Sequence, residues 1–135
     1  LKELHDLGVL VEVVNLVVPG LNDDMAEIAG MCKWIYDNLG PDTPLFFSRF
    51  APQYRLGNLP ATPVETLEKA RKIAMDSGLR YVYIGNVPGH TGENTYCPGC
   101  GSMLIHRYGY AILENNIKKG KCVFCGKEIP GIWDK

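Results

Sequence analysis

Along residues 8–18, GVLVEVVNLVV, apolar and β-branched side chains run almost without a break, interrupted by Glu12 and Asn15. The poor alternation predicts a strand buried on both faces, as in a parallel sheet covered by helices. PGLNDD then ends the strand and offers Asn22, Asp23 and Asp24 as helix N-caps. Ile28, Cys32, Ile35 and Leu39 follow at helical steps and predict one buried helix face. Gly40 and Pro41 stop that helix. PLFFSRF (44–50) reads as a second short buried strand. TPVE (62–65) reads as a capping box, with Thr62 as N-cap, Pro63 at the first helical position and Glu65 reaching back. Val64, Leu67, Ala70 and Ala74 form the buried stripe of this second helix, and Gly78 closes it. LRYVYIG (79–85) is a third strand, so residues 1–90 read β-α-β-α-β with crossover helices, an α/β architecture that is either an open doubly wound sheet or part of a barrel.

The pattern changes at NVPGHTGENT (86–95), which reads as a linker. Residues 91–135 then form a second module. SMLIHRYGYAILEN predicts a hairpin turning near Tyr108-Gly109, and IKKGK leads onward from it.

Composition adds only bounds. The 135 residues are 46% hydrophobic and 21% charged, with a formal net charge of −1. Residues 1–90 carry 8 basic and 11 acidic side chains (−3), and the remainder 6 and 4 (+2). No global field draws the chain to nucleic acid or an anionic membrane. No apolar run approaches the roughly 20 residues of a membrane span, and no signal peptide pattern is present. The chain opens on Leu1 in what reads as the tail of a helix, which predicts an upstream half preceding it.

Four of the five cysteines fall in two Cys-x-x-Cys-Gly units, YCPGCG (96–101) and KCVFCG (121–126). Two intervening residues let a tight turn aim both thiolates at one point. A following glycine (Gly101, Gly126) admits the positive φ of such a knuckle. Cys97, Cys100, Cys122 and Cys125 are thus the candidate ligands of one tetrahedral four-sulfur site. Zinc is the leading occupant, with a rubredoxin-like iron and a redox-active dithiol as the alternatives. A module of roughly 40 residues buries too little apolar surface to fold unaided, so a metal staple is expected. Four thiolates fill the shell and leave no place for water or substrate, so the metal reads as structural.

The remaining candidates are weaker. Cys32 sits on a helix's apolar stripe, where a small core residue is expected. His5, His90 and His106 have no partners that define a catalytic set, and there is no P-loop or dinucleotide fingerprint. Arg49 and Asn86 follow strands, where parallel α/β folds place ligands. Ordinary βα loops account for them equally well.

Taken together, LVVPGLND, FSRFAPQYR, TPVETLEKARKIA, YVYIGNVPG, NTYCPGCG, KGKCVFCG and IPGIW resemble the C-terminal half of the AmmeMemoRadiSam-system radical S-adenosylmethionine enzymes. These are similar to pyruvate formate-lyase activating enzymes. The resemblance covers essentially the whole chain. It implies the C-terminal part of a partial (βα)6 barrel followed by a small β zinc-ribbon module. It also implies a [4Fe–4S] cluster that reduces S-adenosylmethionine to a 5′-deoxyadenosyl radical. In the family the cluster is held by Cys-x-x-x-Cys-x-x-Cys, a spacing that no cysteines here make. Three thiolates leave the fourth iron open for the cofactor, so this chain alone is expected to be inactive. The resemblance assigns no catalytic residue here and makes Asn15, Ser48 and Arg49 the cofactor-lining candidates. In those relatives an arginine on the first of these strands contacts the cofactor, and the matching position is Val14. Phe46 and Ala51 stand where relatives carry histidines.

The reading is of a cytoplasmic enzyme with S-adenosylmethionine as its small-molecule partner and an unidentified protein or small-molecule substrate. Two further functions compete with it. One is a zinc-ribbon module binding a protein or a nucleic acid through Tyr96, Tyr108, Tyr110, Phe124 and Lys118, Lys119, Lys121. The other is rubredoxin-like electron transfer. A charge of only +2 on the second module argues against strong nucleic-acid binding.

Overall fold

The computed structural model describes residues 1–53, 55 and 57–133. Internal contacts divide the chain into two units, Leu1–Val87 and Pro88–Lys135.

The first unit runs α1 (Lys2–Asp6), β1 (Val13–Val17), α2 (Met25–Leu39), β2 (Leu45–Arg49), α3 (Val64–Asp76) and β3 (Val82–Gly85). The strands form one parallel sheet in the order β1-β2-β3. Asp24 caps α2 by accepting from the amides of Ala26 and Glu27. Gly40 ends it at φ 93°, a conformation open to glycine. Ile28, Cys32, Ile35 and Leu39 form its buried stripe, and Leu67, Ala70 and Ala74 that of α3. The two helices pack on each other and on one face of the sheet. There they bury Val17, Leu45, Phe47, Val82 and Ile84. After α3 the chain turns at Gly78, where φ is 102° and a Cβ would lie 2.7 Å from the ring of Tyr36. The left-handed backbone favours glycine at that crossing, and a Cβ would also have to displace the Tyr36 ring.

Three expectations change. The first strand is shorter than its apolar run, since residues 8–10 and Glu12 are exposed outside β1. It is also buried on one face only, with Val14 68% and Leu16 48% exposed. The parallel register places Val14, Phe46 and Tyr83, and beside them Leu16, Ser48 and Gly85, on the face without helices. Phe46 and Tyr83 stack there at a 4.8 Å centroid separation. Finally, Thr62 is not the cap of α3; Pro63 holds that position and no side chain bonds to it. Thr62 is fully buried instead. Its hydroxyl donates to the carbonyl of Val17 and accepts the amide of Phe50, so a tertiary tie takes the group that local capping would use.

The second unit holds a 3-10 turn (Thr91–Glu93), β4 (Thr95–Tyr96), β5 (Met103–Tyr108), β6 (Ala111–Asn115), β7 (Ile117–Lys118) and β8 (Lys121–Cys122). β4-β5-β6 form one antiparallel sheet, and β7 pairs with β8. Register pairs Tyr108 with Ala111, so the first hairpin turns through Gly109-Tyr110. The second hairpin pairs Lys118 with Lys121 across Lys119 (φ 51°) and Gly120 (φ 70°). Both central residues are left-handed, as in a type I′ turn, whose twist matches paired strands. The apolar core of this unit is small, with Leu104, Ile117 and Ile129 buried beside Cys97 and Cys122. No helix among the described residues is long and apolar enough to cross a membrane.

Candidate metal centre

Both cysteine units fold into the same knuckle. The amide of Gly101 donates to the carbonyl of Cys97, and that of Gly126 to the carbonyl of Cys122, each at 2.9 Å. Gly101 (φ 76°) and Gly126 (φ 78°) supply the left-handed conformation that closes each turn. Within the turns, the amides of Gly99 and Phe124 point at the sulfurs of Cys97 and Cys122, each 3.4 Å away. The knuckles are anchored outside as well. The amide of Cys97 bonds the carbonyl of Ser102, and that of Cys122 the carbonyl of Lys127.

The result brings four sulfurs within 4.8 Å of one another. Cys97 Sγ lies 3.7 Å from Cys125 Sγ, and Cys100 Sγ lies 3.8 Å from Cys122 Sγ. A disulfide needs about 2.05 Å, so these are not bonded pairs. A zinc–sulfur bond of about 2.3 Å in a tetrahedron gives sulfur–sulfur edges of about 3.8 Å. The donor set therefore fits a tetrahedral metal. Cys97 and Cys122, first in each knuckle, are buried; Cys100 and Cys125 are exposed.

The thiols are electrostatically unequal. Hydrogen bonds from the hydroxyl and then the amide of Ser102 draw Cys100 down to about 6. The amide of Lys127 pulls Cys125 the same way. Desolvation and the three surrounding sulfurs outweigh it and push that thiol up to about 11. The sulfurs thus resist ionising together, and a cation among them removes the conflict. All four ligand positions come from the protein, so the centre can hold shape or pass an electron but cannot activate a bound water.

The three proposed cofactor-lining residues do not form one cluster. Asn15 faces α2, where its amide contacts the sulfur of Met31 at 3.2 Å and Asn22 at 3.4 Å. Arg49 ends β2, and its Nε donates to the carbonyl of Thr62 at 2.9 Å. Ser48 lies on the face without helices, level with Leu16 and Gly85. Asn86 follows β3 at φ 61° and donates to the carbonyl of Arg49. Cys32 is fully buried in the helix layer, where desolvation pushes its thiol up to about 11. His90 caps the 3-10 turn by accepting the amide of Gly92; His106 stands opposite Glu114 on the β5–β6 hairpin.

Sequence reading missed the groups around the sulfurs: Ser102 beside Cys100, and Lys127, whose stem packs on Gly99. Glycine at the second intervening position of CPGC was the available signal, since it marks where something lies close.

No family model matches the chain. It is 51% identical over 130 residues, 95% of its own length, to the uncharacterized protein MJ0808 of Methanocaldococcus jannaschii. The chain spans 39% of the length of that relative.

Proposed function

We propose that residues 88–135 are a structural four-thiolate zinc ribbon, and that the longer polypeptide to which the chain corresponds is a radical S-adenosylmethionine enzyme. The observation that carries the first part is the convergence of four sulfurs within 4.8 Å of one another, with two separations of 3.7 and 3.8 Å that match a tetrahedral edge. Zinc is preferred because it is redox-inert and a closed four-cysteine shell is its structural mode. Two further facts support that role. The unit's apolar core is small, and each knuckle is closed by backbone bonds to its own flanking residues, Cys97 to Ser102 and Cys122 to Lys127.

Support for the second part comes from the seven sequence segments and from topology. Strands in the order β1-β2-β3, each joined by a helix to a parallel neighbour, are what an arc of a βα barrel contains. A doubly wound sheet reverses its order at the ligand-binding crevice. In this reading the face carrying Val14, Phe46, Ser48 and Tyr83 is the barrel interior. Ser48 would then face the cofactor, while Asn15 ties the middle of β1 to α2 and Arg49 ties the end of β2 to the segment entering α3. A [4Fe–4S] cluster would supply the electron for cleaving S-adenosylmethionine, and its three cysteine ligands would have to come from outside these residues.

The test uses the full-length M. jannaschii relative, reconstituted with iron and sulfide and reduced with dithionite. Release of 5′-deoxyadenosine from S-adenosylmethionine is the expected result. A full cluster without cleavage refutes the enzyme reading and leaves the ribbon standing.

A second reading, rubredoxin-like electron transfer, is favoured by one observation: Cys100 and Cys125 are exposed, which opens an electron path to the surface. Visible absorption of the purified chain separates the two, because a four-thiolate iron is coloured and zinc is not.

A further inference from the structure

We infer that Lys127 is a positioning residue of the metal centre, whose charge offsets that of the metal–thiolate group, and that Gly99 is glycine so that Lys127 can lie against it. This rests on the four-thiolate reading above. A divalent ion held by four thiolates leaves the group doubly negative, with half of its ligands facing solvent.

The geometry singles out Lys127 among the described lysines of this unit. A Cβ built on Gly99 would lie 2.8 Å from Cδ of Lys127 and 3.6 Å from the sulfurs of both Cys97 and Cys125. The lysine stem therefore crosses the first knuckle beside two ligands from different knuckles. Its ammonium, two bonds beyond Cδ, is thereby confined to within roughly one Debye length of both, about 8–10 Å at ordinary salt. At that range the attraction is felt but can be screened. The same residue's amide is the one directed at Cys125, and its carbonyl accepts from Cys122. Backbone and side chain of one residue thus serve both knuckles. Lys118, Lys119 and Lys121 lie on or beside the β7–β8 turn instead.

Gly99 is not in a left-handed conformation, so alanine is permitted there by backbone geometry. A methyl group there would displace the lysine stem, the outer part of a flexible side chain, from its place beside the two sulfurs. The two residues should therefore be energetically coupled.

The probe is Co2+, titrated into the full chain at low and high salt and followed by its thiolate charge-transfer and ligand-field bands, with zinc competition giving affinities. Lys127→Met keeps the stem and removes the charge; it is expected to keep the tetrahedral four-sulfur spectrum but bind about 10-fold more weakly or worse. That loss should shrink in 1 M salt, and Lys127→Arg should restore affinity. Gly99→Ala should weaken binding in the native chain and add little in the Lys127→Met background. Equal affinity in the native chain and Lys127→Met, or a loss that salt leaves unchanged, overturns the inference while the four-thiolate centre stands. A native chain that never gives the four-sulfur spectrum overturns both. Should Lys127→Met fail to fold, Gly99→Ala decides by the same salt criterion.

Discussion

The hydroxyl of Thr62 donates to the carbonyl of Val17 at 2.5 Å, joining a loop residue to the end of a strand 45 positions earlier. The same oxygen accepts the amide of Phe50 at 2.8 Å, and the carbonyl of Thr62 accepts Nε of Arg49. One buried threonine thus ties the C-terminal ends of β1 and β2 to the segment entering α3.

Replacing that threonine by valine keeps its shape and removes both hydroxyl bonds. Thr62→Val leaves a carbonyl and an amide unpaired in the interior, at a cost of about 1–3 kcal/mol. Denaturant unfolding should show this loss in the first unit, with the metal-centre spectrum unchanged. A variant as stable as the native chain would show that water replaces the hydroxyl at both partners.

The second unit should behave differently if, as proposed, its cohesion comes from a metal held by the four cysteines. Cys97→Ser removes a buried ligand and should abolish amide-exchange protection across residues 91–133, while α2, α3 and the parallel sheet keep theirs. Persistent protection across β5 and β6 in the substituted chain would mean that Leu104, Ile117 and Ile129 suffice without metal.

Cys32 provides a pH test of the first unit. Burial raises its folded-state thiol from the ordinary 9.0 to about 11. The neutral thiol is the form that folding favours, so its contribution is fully present below pH 9 and is lost as pH rises toward 11. Stability of the native chain should fall more steeply across that window than stability of Cys32→Ala. At neutral pH this thiol should resist iodoacetamide until the chain unfolds. Parallel stability curves, or rapid labelling of folded protein, would place Cys32 nearer the surface than its full burial indicates.

Much of this was legible in local pattern. The spacing of Ile28, Cys32, Ile35 and Leu39 is a helical period, and the structure buries those four. The paired knuckles could be read because Cys-x-x-Cys-Gly is a local instruction: a turn, two sulfurs and a left-handed glycine. What escaped reading depended on distant partners. TPVE obeys the rules of a capping box, yet Val17 and Phe50 claim the threonine. The run through Val14 and Leu16 looks the same whether helices cover one face of the sheet or two. The turn at Lys119-Gly120 was hidden because lysine seldom takes a positive φ. Lys127 could not be connected to Gly99, since only the closed centre brings the two knuckles together.

The central claim is that Cys97, Cys100, Cys122 and Cys125 saturate a single metal ion. X-ray absorption of the purified chain at the metal edge, combined with metal analysis, tests it directly. One zinc per chain with four sulfur neighbours at about 2.3 Å is the predicted result. A shell containing oxygen or nitrogen, or a multi-iron cluster with metal–metal scattering, would contradict it.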